Sequence, residues 1–321
     1  MKKWLFLPVF ILASFSSSAW GFYAHRRINA QAVWLLPPEM LLLYKPHIGF
    51  LAEHAVDPDK RRYIVPEEGP RHYIDIDHYG LYPFDSLPRK WEDAVARYSA
   101  DTLNRYGIVP WWIQTMLHRL TLAFRDKDLL HILRYSAEIG HYISDAHVPL
   151  HACSNHNGQF TGQKGIHGFW ESRVPELLAD TQWDFFIGHS PYMDRPADFT
   201  WKRVLESARA ADSVLRFEKE LSARFPPDQK FSFEERNGIL VRQYSTAFTL
   251  AYDGMLKGMV ERRMRQSIQA VAGFWYTAWV NAGQPGLAGL ATRTLSEEDL
   301  AEFRELNGAW RRSGEKEHDH D

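Results

Sequence analysis

Apolar residues recur every three to four positions through most of this chain, which is the spacing of a helix with one buried face. The pattern is clearest in residues 91–106, where Gly107 can cap the helix end. It continues through residues 111–124 and 129–148, the second of which ends before Pro149. The middle of the chain is therefore predicted to be a set of packed helices.

The segments on either side of this region repeat the same spacing. Before it, residues 28–36, 40–44 and 46–56 read as helices, separated by prolines. Residues 57–70 are rich in proline, glycine and charge and are predicted to be irregular. Apolar and polar residues alternate at positions 73–78, as in a β-strand, but no partner strand is evident.

Two long helical patterns occupy the second half of the chain, after a shorter one at residues 169–178. They cover residues 199–225 and 233–281, and the latter is expected to break near Gly254 or Gly273. No internal repeat and no shift in composition marks a domain boundary. The pattern predicts an all-α fold, a single multi-helix domain.

The first residues have the composition of an export signal. Lys2 and Lys3 precede an apolar run at residues 4–15, which is too short to span a membrane, and small residues follow up to Ala19. Residues 1–19 are therefore predicted to be a cleaved signal peptide, so that the protein is periplasmic or secreted.

Cleavage after Ala19 would make Trp20 the N-terminal residue. We assign residues 20–310 to the helical domain and residues 311–321 to a charged, disordered tail. No other apolar stretch is long enough to be a transmembrane segment, so any membrane contact after cleavage would be peripheral.

The charge and the cysteine content exclude few classes of function. Without Lys2 and Lys3, 36 basic residues face 40 acidic ones, a formal charge of −4 that gives no sign of a polyanionic partner. Cys153 is the only cysteine, so the chain forms no internal disulfide despite its predicted export. Nothing in the composition indicates a stable protein partner.

The most informative chemistry lies between His141 and Glu171. His141 and Asp145 are four residues apart, as are His167 and Glu171, so that on a helix each pair projects from one face. His151 adds an imidazole between the two pairs. Imidazole and carboxylate ligands together suit zinc. So many of these side chains within one short segment predict a metal site.

Two earlier segments offer ligands of the same kind. His25 follows the predicted N-terminal Trp20 by five residues, and His72 follows a loop that contains Asp57 and Asp59. With these segments the chain resembles the superfamily of zinc-dependent phospholipases C and fungal-type single-strand nucleases. The matching residues, in the order of that superfamily, are Trp20, His25, Asp57, His72, His141, Asp145, His151, His167 and Glu171.

The resemblance covers residues 20–171 and implies a helical enzyme with three zinc ions in one cleft. One zinc would be held by four side chains: Asp57, His72, His141 and Asp145. A second would be held by His151, His167 and Glu171. The third would take the amine and carbonyl of Trp20, with His25 and the other oxygen of Asp145.

The same resemblance implies that a hydroxide bridging two zinc ions attacks a phosphodiester, with Asp57 as the general base. Asp59 is the alternative to Asp57 as a zinc ligand, because Pro58 between them leaves the geometry of the turn open.

The substrate is less sharply defined than the chemistry. The spacing from Trp20 to His25 resembles the nuclease branch, whereas Glu171 and the lack of disulfides resemble the phospholipase branch. We predict a phospholipase C-type enzyme acting on phospholipid head groups. The alternatives are a nuclease that releases 5′-nucleotides from single-stranded nucleic acid, and an exported zinc-binding protein without catalytic activity.

Overall fold

A computed structural model of the chain describes residues 21–236 and 239–313, and it confirms the all-α class of the fold. The predicted signal peptide, Trp20 and residues 314–321 lie outside the described residues. None of the helices in the described part is long and apolar enough to cross a bilayer.

The first half of the described chain consists of eight helices joined by short turns. They are α1 (Phe22–Val33), α2 (Pro38–Tyr44), α3 (Ile48–Glu53), α4 (Asp57–Arg61), α5 (Trp91–Tyr98), α6 (Ala100–Arg105), α7 (Val109–Asp126) and α8 (Leu129–Asp145). Short 3₁₀ turns lie between them and after α8, at Lys45–His47, His54–Val56, Pro66–Arg71, Ile76–Tyr79 and Pro149–Ala152.

The second half adds longer helices and one hairpin. Its elements are α9 (Ile166–Gly168), a π-helical turn (Phe169–Arg173), α10 (Val174–Leu178), α11 (Pro196–Arg224), a 3₁₀ turn (Pro227–Gln229), β1 (Phe231–Arg236), β2 (Ile239–Tyr244), α12 (Thr246–Leu256), α13 (Met259–Asn281), α14 (Ala288–Ala291) and α15 (Ala301–Ser313). The strands pair antiparallel, with Phe231 opposite Tyr244.

Helix α8 runs through the centre of the molecule, packed against α1, α7 and α13. Every residue from Ser136 to Asp145 is buried, so both faces of this half of the helix are covered. The indole N–H of Trp275 on α13 donates to the backbone oxygen of Ser136 (2.9 Å). The ligand candidates on α8 therefore lie inside the protein and not on its surface.

Helix α1 approaches α8 unusually closely. The Asn29 side-chain amide donates to the backbone oxygens of Leu51 (3.1 Å) and Ala137 (3.0 Å). A β-carbon on Gly140 would lie 2.1 Å from Asn29 Oδ1, so only glycine permits this contact. The close approach brings the start of α1, with His25, to the end of α8.

The prediction of one helical segment at residues 233–281 was wrong. Its first part is the hairpin of β1 and β2. The side chain of Phe233 in β1 is 61% exposed, so this apolar residue does not mark a buried helical face. The helix break lies at Lys257 and Gly258, both with positive φ, which is close to Gly254, the first of the two expected positions.

Other local predictions also change. Residues 73–78 form no strand and end in a 3₁₀ turn, because no neighbouring strand is available to pair with them. Residues 91–106 are two helices, divided at Ser99, whose hydroxyl accepts from the backbone N–H of Thr102 and so caps α6. Part of the segment predicted as irregular, residues 57–61, is helical.

The last helix also extends further along the chain than the predicted end of the helical domain. The predicted tail was residues 311–321, but residues 311–313 belong to α15. Apolar residues are sparse in α15, and Phe303 is its one buried residue, so periodicity alone does not predict a packed helix here.

Candidate metal centre

Helices α1 and α8 together supply the first group of ligand candidates. His25 Nε2 lies 3.4 Å from Asp145 Oδ1, and His141 Nε2 lies 3.2 Å from Asp145 Oδ2. The rings of His25 and His141 stack with centroids 3.9 Å apart. Asp145 is fully buried, so its two oxygens face different histidines inside the protein. His25, His141 and Asp145 could together hold a metal ion.

The second group shares His141 with the first. His72 Nδ1 lies 2.9 Å from His141 Nε2 and 3.0 Å from Asp145 Oδ2. Asp59 Oδ1 lies 3.9 Å from His72 Nδ1 and 3.8 Å from His141 Nε2. Asp59, His72 and His141 could hold a second ion, beside which Asp145 provides a shared carboxylate.

Asp57, predicted as a ligand and as the general base, is not brought to this group. Its carboxylate lies 2.6 Å from His54 Nδ1 and accepts from Lys60 Nζ at 2.9 Å. Burial alone would raise the pKa of Asp57, but His54 and Lys60 outweigh it and lower that pKa. Pro58 starts the short helix α4, in which Asp57 and Asp59 point to different neighbours. Of the two aspartates, Asp59 therefore lies with the other ligand candidates and Asp57 does not.

The third group lies beyond the end of α8. His167 Nε2 and His151 Nε2 lie 3.0 Å and 3.5 Å from Glu171 Oε2. Glu171 sits in the π-helical turn, which precedes Pro175. Proline has no N–H to donate to the carbonyl four residues earlier, and widened turns of this kind often lie at functional sites. His151, His167 and Glu171 could hold a third ion.

Unsatisfied polar atoms support the interpretation of these groups as cation sites. Buried polar atoms in proteins almost always have a hydrogen-bond partner. Within the described residues, the buried atoms of the three groups that lack one are His25 Nδ1 and Nε2, both oxygens of Asp59, His72 Nε2, Asp145 Oδ1, His151 Nε2 and His167 Nε2. Bound cations would satisfy most of these lone pairs.

Backbone carbonyls fix two of the imidazole rings. His141 Nδ1 donates to the backbone oxygen of Ala55 (2.9 Å), and His151 Nδ1 donates to that of His72 (2.7 Å). When Nδ1 carries the proton, a neutral ring presents the lone pair of Nε2. In both residues Nε2 faces the carboxylates of the cluster.

The central pair, His141 and Asp145, is strongly polarised. Burial alone would lower the pKa of His141, but the charges of Asp145 and Asp59 outweigh it and raise the pKa to about 9. Burial would raise the pKa of Asp145, but His141 and His151 hold it well below its usual range. Without metal, a proton on His141 therefore compensates part of the buried negative charge.

In the outer ligand candidates His25, His167 and Asp59, burial outweighs the neighbouring charges, so their pKa values shift in the direction opposite to those of the central pair. Burial lowers the pKa of His25 and of His167 to about 4, in His167 with help from the charge of Arg62. Both rings are therefore neutral at pH 7, the form that binds metal. Burial raises the pKa of Asp59, whose oxygens have no protein donor to stabilise their charge.

A small pocket of about 30 Å³, here called the opening, lies beside His72, His151 and His167. The other side chains that line it are those of Arg62, Tyr73, Asp75, Leu150 and His156. Arg62 and His156 were not recognised from the sequence. Arg62 follows Asp59 by three residues, which could have placed it beside the site, whereas His156 belongs to a polar loop whose conformation the sequence does not specify.

The remaining candidates lie at the edge of the site or outside the described residues. Trp20 is outside, so its role as a ligand stays a prediction. Its neighbour Gly21 lies against the turn that carries Glu171, since a β-carbon on Gly21 would be 2.2 Å from Ser172 Oγ. Cys153 joins none of the groups, and burial raises its pKa.

Comparison with known proteins adds no assignment. No protein-family model matches the chain, and a search of curated proteins finds no match either.

Proposed function

We propose that this protein is an exported zinc-dependent phosphodiesterase of the phospholipase C type. The observation that carries the proposal is that three ligand groups meet in one buried cluster. Asp145 and His141 link the first two groups, and Asp145 Oδ1 also lies 4.0 Å from His151 Nδ1 of the third. Separate structural sites would have no need to share ligands.

Zinc suits the chemistry of the donors. The ligand candidates in the described residues are imidazoles and carboxylates, both of which zinc accepts. The side chains that would hold the ions are His25, Asp59, His72, His141, Asp145, His151, His167 and Glu171. Bound zinc would activate water near neutral pH and stabilise negative charge on a phosphate.

The residues around the opening would handle the substrate. Arg62, which lines the opening, would bind a phosphate oxygen, since a guanidinium matches the geometry of phosphate. His156 Nδ1 lies 3.4 Å from the amide nitrogen of Gln159, which would donate to it and leave a proton on Nε2 for the substrate. Asp59 would accept the proton of the attacking water, since it is the carboxylate of α4 that lies beside His72 and His141.

A phospholipid is our preferred substrate because the chain has no excess of basic residues to attract a nucleic acid. One observation favours the nuclease alternative. Tyr73 and Arg62 line the same opening, and an aromatic ring beside a guanidinium is the combination that binds a base and its phosphate.

A substrate comparison tests the proposal. Protein beginning at Trp20 and loaded with zinc is incubated separately with phosphatidylcholine vesicles and with single-stranded RNA or DNA. Release of phosphocholine supports the phospholipase, and release of 5′-nucleotides supports the nuclease. The matched control is Asp145→Asn, which keeps the side-chain shape but removes the shared carboxylate. Zinc uptake with no product from any substrate would reject both activities and favour a zinc-binding protein.

A further inference from the structure

The C-terminal helix α15 lies against the parts of the chain that carry the earliest ligands. Phe303 is buried between Phe50 and His54, with ring centroids 5.3 Å and 4.3 Å away. Near the other end of the helix, the ring of Trp310 lies 5.6 Å from that of Phe22, at the start of α1. The helix thus contacts both the segment before α4 and the segment before His25.

A buried lysine joins α15 to α4. Lys60 is only 3% exposed, and its ammonium group donates to Asp57 Oδ1 at 2.9 Å and to Asn307 Oδ1 at 2.7 Å. Asp57 in turn contacts His54, against which Phe303 packs. The carboxylate of Asp57 therefore connects α4 to the C-terminal helix and not to the metal cluster.

Besides the ion pairs of Arg61 with Glu68 and Glu138 (both 2.8 Å), this connection holds α4, and it matters because the carboxylate of Asp59 is not itself held. Neither of its oxygens has a hydrogen-bond partner, so no protein donor orients the carboxylate. Its direction depends on the backbone of α4, a helix of five residues between Asp57 and Arg61. Isolated helices of this length are unstable in water, so α4 depends on its tertiary contacts.

We propose that α15 is a positioning element of the metal centre, in which Asn307 acts through Lys60 to fix α4 and so directs Asp59 toward His72 and His141. The inference rests on the proposed metal-dependent function and assigns a role to a segment outside residues 20–171. Asn307 is a positioning residue, since it contacts neither the cluster nor the opening.

The test is zinc affinity, measured by competition with a chromogenic chelator on protein that retains its full C-terminal segment. Asn307→Leu removes the oxygen that accepts from Lys60 and is expected to weaken the most loosely held zinc about tenfold, the lower end of the effect of losing an orienting partner. Asn307→Asp keeps an acceptor for Lys60 and is expected to restore the affinity of the unaltered protein.

A spectroscopic measurement separates positioning from general stability. Cobalt(II) in place of zinc reports ligand geometry through its visible absorption, which loss of stability alone does not change. We expect Asn307→Leu to alter this spectrum and Asn307→Asp to restore it. Asn307 is only partly buried, so neither change should prevent folding.

Two controls match the variant. Arg304→Gln alters the same helix, but Arg304 pairs with Glu297 (2.7 Å) and not with α4. Leu290→Ala removes a buried side chain from α14, which packs against α2 away from the cluster, and should lower the melting temperature without changing zinc affinity. Both controls are expected to keep the cobalt spectrum of the unaltered protein.

The outcomes are distinct. If Asn307→Leu melts at a lower temperature but binds zinc and cobalt as the unaltered protein does, α15 is merely structural and the inference is overturned. If the unaltered protein takes up no metal, the proposed function fails and the inference fails with it. If metal uptake is normal but no phosphodiester is cleaved, only the proposed activity is lost, and the affinity series still decides the role of Asn307.

Discussion

Asp145 Oδ2 lies 3.0 Å from His72 Nδ1, although 73 residues separate the two along the chain. The other oxygen of Asp145 faces His25, so one carboxylate connects ligand candidates from three distant segments. A buried carboxylate in such a position is stable only beside positive charge, supplied by protonated histidine or by metal. This relationship makes Asp145 the residue on which the assembly of the centre depends.

Asp145→Asn is therefore expected to be the most damaging single ligand substitution. It removes the charge that two ligand groups share, so zinc content should fall by more than one ion per chain. Elemental analysis of purified protein measures this directly. Glu171→Gln, which affects only the third group, is the comparison and should cost about one ion. Equal losses in the two variants would contradict the shared role of Asp145.

The two carboxylates of α4 should behave differently. Asp59→Asn removes the predicted base and is expected to lower kcat about 10²–10⁴-fold, the usual effect of losing proton transfer. Asp57→Asn weakens the contacts to His54 and Lys60 and should mainly reduce stability, by about 1–3 kcal/mol. Turnover at saturating zinc and thermal unfolding are measured for both. An inactive Asp57→Asn beside an active Asp59→Asn would return the ligand assignment to Asp57.

Asp57 and Asp59 show which part of the candidate site could not be predicted from the sequence. Sequence spacing alone pairs His141 with Asp145 and His167 with Glu171, because ligands one helical turn apart can be recognised within a short segment. The choice between two aspartates on either side of Pro58 depends on which of them lies near His72 and His141, which the fold brings to α4 from other parts of the chain. No local pattern records such a contact.

Tertiary context explains the other differences too. Residues 233–281 contain apolar residues at spacings compatible with a helix, yet Phe233 is exposed on a hairpin strand, so its apolar character does not report burial. The fold class was predictable because it sums many helical segments. Single elements such as β1, β2 and α15 were not, because few buried residues define them.

Zinc binding at pH 7 should release about one proton from His141. The metal-free pKa of this residue is about 9, so at pH 7 the ring must lose a proton before it can bind metal. His25 and His167, with a pKa of about 4, are already neutral and release none. Zinc affinity should therefore rise with pH until about pH 9. Calorimetric titrations in buffers of different ionisation enthalpy count the protons, and none released at pH 7 would contradict the polarised pair.

Substitutions at the opening should separate substrate handling from metal binding. Arg62→Gln and His156→Ala are each expected to lower kcat/KM about 10²-fold, by analogy with the loss of one donor to a charged transition state. Zinc content should stay unchanged, since neither residue belongs to a ligand group. His131→Ala, a partly exposed histidine paired with Asp128, is the matched control. A loss of zinc in His156→Ala would instead make His156 a ligand.

The predicted N-terminus offers a test that involves no side chain. An α-amino group has a pKa of about 7.7–8.0, so near neutral pH it can lose its proton and bind zinc, whereas an amide nitrogen within a chain cannot. Gly21 packs beside Ser172, next to Glu171, which is consistent with a chain start close to the cluster. We therefore expect protein that begins at Trp20 to hold three zinc ions. Protein with one added methionine before Trp20 should hold fewer and turn over more slowly, as should the uncleaved precursor. Zinc content and turnover are compared in the two forms at equal protein concentration. Three ions and equal activity in both would exclude the N-terminus from the site, and with it the implied role of Trp20.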